Sequence, residues 1–291
     1  MYVARVPARE EIINVRGLKY RVLFWGPVCK EPFILLHGYQ DCADTFQFLV
    51  DELPREWSFA AVDWRGFGGS QATSKPYWFP DYLADLECLL ECLVPEGAAR
   101  LIGHSMGGNV ASLYAGVRPA RIRQLISLEG FGMPRTTPTD APKRYRDWLD
   151  QLQAVPHSGQ YSSVEKLAQN LVRRNIRLSQ DIAYFIARAW TKPNQAGGVQ
   201  LRFDPWHRLI NPILYRREEY VACWREITAD TLLLIGAESV HLSLLEGNEV
   251  AAPLGDFIAN LTIKTLPSLG HMMHHENAAL VAKAILDWVK V

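Results

Sequence analysis

Gly103-His104-Ser105-Met106-Gly107 carries the residue types and spacing of a nucleophilic serine. In G-x-S-x-G the serine sits on a strained strand-to-helix turn, and a glycine two residues to either side leaves the backbone room to fold that tightly. Such a turn lifts the Ser105 hydroxyl clear of the sheet edge. It also sets that hydroxyl at the amino end of a helix, where free N–H groups and the dipole favour developing negative charge. Five residues alone are a weak signal, and the flanks strengthen it. Arg100 to Ile102 reads as the end of a buried strand, and Asn109 to Gly116, with Val110, Leu113 and Tyr114, as a helix closed by Arg118-Pro119.

A serine hydroxyl is too weakly acidic to attack a carbonyl unaided, so it needs a base within hydrogen-bond reach and a third group that fixes the base's tautomer. The elbow Gly103 to Gly108 resembles that of the α/β-hydrolase fold superfamily, and the resemblance implies where those partners lie. Gly270-His271 in Pro267-Ser-Leu-Gly-His-Met-Met-His-His-Glu276 matches the superfamily's histidine loop, which makes His271 the base. His274 and His275, a turn later, read as capping or solvating the helix that follows. No carboxylate pattern accompanies the three histidines, so no metal is expected.

The acid is open between two residues. The superfamily usually places it after the penultimate strand, a few residues beyond a glycine that corresponds to Gly236, and the sequence there reads Ala237-Glu238-Ser239 without an aspartate. Glu238 could serve if the loop shifts by one residue. Glu129, in Leu128-Glu-Gly-Phe-Gly-Met-Pro134, stands in a segment similar to the loop of a haloalkane dehalogenase subgroup whose acid has moved to this strand end. A carboxylate at the end of a buried strand is costly without a partner, and a protonatable histidine is such a partner. Glu129 is therefore preferred and Glu238 kept as the alternative.

A tetrahedral oxyanion requires two preorganised N–H donors. The resemblance implies the backbone of Met106 for one. The loop His37-Gly38-Tyr39-Gln40, similar to the H-G-x motif, supplies the other from Tyr39, with Gln40 in reserve. His37 reads as a structural tie, and Asp63-Trp-Arg-Gly-Phe-Gly-Gly-Ser70 resembles a D-x-R-G-x-G-x-S loop that shapes the scaffold.

These residues need elements to hold them. Glu11 to Gly26 alternates about Arg16-Gly17 and predicts an antiparallel hairpin. Pro32 to Gly38, Phe59 to Asp63, Arg100 to Ile102, Gln124 to Leu128, Asp230 to Gly236 and Leu261 to Leu266 read as strands, most of them continuous apolar runs. Helices are predicted at Thr45–Leu53, at Asp81–Leu93 with a Leu83, Leu86, Leu90, Leu93 stripe, and around Val281–Val289. Alternation of this kind gives an α/β protein: a mostly parallel central sheet flanked by helices. The alternation breaks between Phe131 and Ala229, where helices near Tyr145–Val155, Ser163–Arg173 and Gln180–Trp190 stand between Pro-bearing joints and no strand signal is seen. The α/β-hydrolase core is thus assigned to 1–130 and 230–291, and residues 131–229 to a helical cap inserted between sheet strands. The cap aromatics Trp148, Tyr161, Phe185, Trp190, Phe203, Trp206 and Tyr215 serve either a pocket or the cap's own core.

Composition narrows the function classes. With 291 residues, 48% hydrophobic and 21% charged, the chain can bury a sizeable core, and 31 Lys+Arg against 31 Asp+Glu leave no basic excess for nucleic acid or an anionic membrane. No membrane span or cleavable leader is recognisable, and Cys29, Cys42, Cys88, Cys92 and Cys223 lack ligand-like spacing, so a cytoplasmic protein with reduced thiols is expected. No G-x-G-x-x-G follows the first parallel strand, and no cofactor is expected. Serine at position 105 sets aside the aspartate-nucleophile dehalogenases and epoxide hydrolases. The resemblance implies a carboxylesterase-like serine hydrolase acting on a small-molecule acyl substrate. A carbon–carbon bond hydrolase, a perhydrolase or a catalytically slow ligand-binding protein of the same fold stand as alternatives, and the sequence leaves oligomeric state open.

Overall fold

The structure is a computed structural model and describes residues 2–154, 156–242 and 254–289. In chain order come β1 (Arg9–Val15), β2 (Leu18–Trp25), β3 (Phe33–Leu36), α1 (Gln47–Val50), β4 (Phe59–Val62), α2 (Phe79–Leu93), β5 (Ala99–His104), α3 (Met106–Val117) and β6 (Ile122–Leu128). After them come α4 (Ala141–Leu152), β7 (Gln160–Tyr161), α5 (Val164–Arg174), α6 (Gln180–Ala189), β8 (Thr191–Pro193), β9 (Val199–Leu201) and α7 (Arg217–Trp224). The chain then returns through β10 (Asp230–Gly236) and β11 (Leu261–Leu266) to a closing helix, Ala278–Leu286.

Eight strands form one sheet in the order β1-β2-β4-β3-β5-β6-β10-β11. β1, β2 and β4 pair antiparallel, and every pairing from β4 to β11 is parallel. The hairpin turns on Arg16 and Gly17, both at positive φ (49° and 81°), as a two-residue turn matched to strand twist requires. β3 and β4 are buried along their whole length, which is why they read as unbroken apolar runs. Alternate residues feed two layers. Ile34 and Leu36 pack with Leu86, Leu90, Val110 and Tyr114 of α2 and α3. Phe33 and Leu35 pack with Leu49 of α1 and with Val281 and Ile285 of the closing helix.

The segment between β6 and β10 departs from the expectation in one respect. It is not wholly helical, since β7, β9 and β8 make a three-stranded antiparallel sheet. Strands of two or three residues are too short to display a period-2 pattern, and Pro193 ends one of them. The three expected helices are found as α4, α5 and α6; Val155, the expected end of the first, lies outside the described residues. α5 and α6 share a small apolar cluster with Phe48, in which Tyr161, Phe185 and Trp190 take part. α7, absent from the sequence reading, packs on α3, where Trp224 is buried. The expected helix at Thr45–Leu53 is a 3-10 turn, Ala43–Phe46, running into α1. No helix among the described residues is long and apolar enough to cross a membrane.

Candidate active site

Ser105 sits between β5 and α3 with φ 49° and ψ −113°, a conformation unusual for a residue with a side chain. Its N–H donates to Leu128 O (2.9 Å) and its carbonyl accepts from Asn109 N (2.9 Å), so the turn is anchored to β6 and to the helix it opens. The flanking glycines have a steric reason. A Cβ at Gly103 would lie 2.6 Å from Gly107 O, and one at Gly107 would lie 2.1 Å from Leu36 O. Only without those atoms can α3 begin this close to the end of β3.

The loop after β3 closes on the same point. A Cβ on Gly38 would come 3.2 Å from Ser105 Cβ and 2.7 Å from His104 Nδ1, so the backbone leading into Tyr39 runs beside the serine. His37 holds that loop: its Nε2 accepts from Trp64 N (3.0 Å), which leaves Nδ1 to donate to Gly38 O (2.7 Å). Asp63, in the loop after β4, accepts from Ala43 N and Gly69 N (2.7 Å each) and pairs with Arg21, a scaffold role.

His271 Nδ1 lies 2.6 Å from Glu129 Oε2. Glu129 follows β6 at φ 55°, is 3% exposed, and has both oxygens occupied: Oε1 accepts from Gly236 N (2.8 Å), and Oε2 also accepts from Ser239 Oγ (2.7 Å). With Nδ1 bonded to the carboxylate, Nε2 is the ring nitrogen that remains for a further partner. Glu238 is elsewhere, exposed and paired with Arg177. Below His271 lies His104, whose Nε2 bonds His271 O (2.9 Å) and whose burial pushes its pKa well below the usual imidazole value. Against its other side stands His241, ring centres 4.4 Å apart and nearly perpendicular.

Sequence reasoning brought Ser105, His271, Glu129, Tyr39 and Met106 forward; the structure joins His271 to Glu129, sets the Gly38–Tyr39 loop beside Ser105, and brings His271 to His104, the residue before Ser105. Sequence reasoning missed Ser239 and Gly236 as the carboxylate's supports, and it missed His104 and His241. The signal for Ser239 was present in inverted form, because the serine that stands where an acid was expected donates to Glu129. His274 and His275 require a correction. Neither is solvated: they are 0% and 4% exposed and face the buried carboxylate of Asp41, forming the kind of cluster that can hold a metal ion.

Residues 31–278 match the model of the alpha/beta hydrolase fold family. The chain belongs to that family. A serine hydrolase-like protein of Danio rerio is 30% identical over 74% of this chain and 68% of its own length. Among solved structures, the thioesterase domain from the curacin biosynthetic pathway superposes with a TM-score of 0.84 at 25% identity, covering 97% of this chain and 99% of that one. A hypothetical protein from Pseudomonas aeruginosa PAO1 does so at 0.83 and 25%, covering 96% of each chain. For this alpha/beta hydrolase the comparisons support a hydrolase role and leave its substrate to chemical argument.

Proposed function

We propose that the protein is a serine hydrolase that cleaves a carboxylic ester or related acyl substrate through an acyl-enzyme. Ser105 Oγ attacks the carbonyl carbon while His271 Nε2 takes its proton, and Glu129 stabilises the imidazolium that forms. The backbone N–H groups of Met106 and Tyr39 receive the oxyanion. Collapse of the tetrahedral intermediate expels the alcohol or thiol, protonated by His271, and water attacking along the same path releases the acid and restores the serine. Glu238 has no part in this scheme.

The observation that carries the reading is the 2.6 Å contact between His271 Nδ1 and a buried carboxylate whose other bonds fix its direction. Burying a carboxylate without such a partner would cost several kcal/mol by order of magnitude. The structural likeness to a thioesterase domain favours thioesters beside oxygen esters in a first substrate panel. The test is labelling by a fluorophosphonate probe together with hydrolysis of p-nitrophenyl acyl esters and acyl thioesters. Rapid labelling of the wild type, absent in Ser105→Ala, is expected, with turnover lost in Ser105→Ala and His271→Ala. Undiminished labelling of Ser105→Ala would refute the assignment of the nucleophile.

A further inference from the structure

Three donor atoms from distant parts of the chain converge behind the loop that carries Tyr39. Asp41 Oδ2 lies 3.3 Å from His275 Nε2 and 3.7 Å from His274 Nε2, and each of the three side chains offers one ligand atom within 4.8 Å of the other two. The three side chains are at most 1% exposed, and apart from one another these atoms have no polar partner among the described residues. A buried polar group left unmatched costs about 1–3 kcal/mol. Three of them turned toward one point call for an occupant.

The remainder of Asp41 is consistent with one. Its Oδ1 accepts from Cys42 N (2.9 Å), Thr45 Oγ1 (2.8 Å) and Trp190 Nε1 (2.8 Å). That oxygen is saturated, and the carboxylate is locked with Oδ2 toward the two imidazoles, as hydrogen bonds around a metal ligand orient it. Asp41 also lines a small cleft together with Gln40, Cys42 and Trp190.

We propose that Asp41, His274 and His275 bind one divalent transition-metal ion, zinc before others, with a solvent oxygen as fourth ligand. Two imidazoles and one carboxylate suit zinc and its first-row neighbours, whereas calcium and magnesium demand oxygen ligands. Bonds of about 2.0–2.1 Å in a tetrahedral site give ligand–ligand edges of about 3.4 Å. The two separations involving Asp41 bracket that value. The ion would tie the loop after β3 to the helix Met273–Glu276, and through Trp190 to the segment between β6 and β10.

The experiment uses the full chain, stripped with a chelator and titrated with Zn²⁺ by calorimetry, with Co²⁺ in parallel as a visible probe. One ion per chain is expected, as are Co²⁺ bands of tetrahedral intensity that Zn²⁺ abolishes and a rise in thermal midpoint with Zn²⁺. Trp190→Phe, which removes one oriented hydrogen bond, should weaken binding about 10-fold. Asp41→Asn and His275→Gln should weaken it more. His271→Ala should bind as the wild type does, which separates this site from one built on His271 and His241 and from the fate of the proposed hydrolase. No saturable binding, as when an ordered water is the occupant, overturns the proposal. So does binding lost in His271→Ala, or binding that survives Asp41→Asn and His275→Gln in chains folded by circular dichroism. Should those two variants fail to fold, wild-type Co²⁺ bands of tetrahedral intensity together with the Trp190→Phe decrement carry it, and bands without that intensity sink it.

Discussion

Glu129 occupies a place where a carboxylate is expensive, and each of its bonds reduces that cost. At a left-handed φ of 55° its side chain reaches the end of β10, where it accepts from Gly236 N and Ser239 Oγ and faces His271 Nδ1. Replacing charge without changing shape isolates the electrostatic part, so Glu129→Gln should lower kcat on a p-nitrophenyl ester by on the order of 10³–10⁴-fold, the penalty for a wrongly set tautomer. Glu238→Gln, which breaks only an exposed pair with Arg177, should leave kcat near wild type. Equal losses in the two variants would contradict the proposed choice of Glu129 over Glu238. Gly38 tests the other side of the serine. Its missing Cβ makes room for His104 Nδ1 and Ser105 Cβ, and Gly38→Ala should cut kcat by on the order of 10–100-fold through displacement of Ser105 or the loop beside it, with circular dichroism unchanged.

At the scale of elements, the junction of β3 with α3 decides whether the elbow forms. A methyl at Gly107 would sit 2.1 Å from Leu36 O and 2.7 Å from His37 O, both backbone atoms that cannot rotate away. Gly107→Ala should therefore cost about 1–3 kcal/mol or more of stability, read as a lower urea midpoint, although alanine is the better helix former. A midpoint at or above wild type would mean that α3 can slide on the sheet. This junction was legible in the sequence because local rules govern it: an apolar run, a glycine, a serine and a helical stripe. The parallel sheet was legible for the same reason, since strands buried on both faces spell unbroken apolar runs. What was hidden is contact across long loops. The strands β7, β8 and β9 are too brief to signal themselves, and α7 has no one-sided apolar stripe although Trp224 buries against α3. His274 and His275 face Asp41, more than two hundred residues earlier in the chain, and neither local pattern nor spacing could reveal that partner.

At the scale of the whole molecule, the segment between β6 and β10 is fastened to the sheet around the cluster that holds Ser105 and His271. Trp190 bonds Asp41, Asn175 Nδ2 bonds Glu276 Oε1 (2.7 Å), and the Tyr39 hydroxyl donates to His207 O (3.0 Å). His207 is the fastening most exposed to pH. Its Nε2 donates to Arg65 O (3.0 Å), its Nδ1 can then accept from the Tyr82 hydroxyl (3.1 Å), and its ring stacks between Tyr77 and Phe67. One proton satisfies both nitrogens. Burial pushes its pKa down to about 3, against 6.5 for a free imidazole. Between those values the unfolded chain takes up a proton that the folded chain refuses. Stability therefore rises with pH across this window, and as pH falls below 6.5 it is lost by up to about 1.4 kcal/mol per unit. His104, buried with its pKa lowered, pulls in the same direction, so the whole slope does not belong to one residue. The difference between chains isolates the His207 share: in urea titrations from pH 7.5 down to 4.5, His207→Phe should start less stable, having lost two hydrogen bonds, and decline less steeply than wild type. Parallel declines would mean that His207 gains its proton inside the folded molecule, and the joint between the segment and the sheet would then owe nothing to a neutral imidazole.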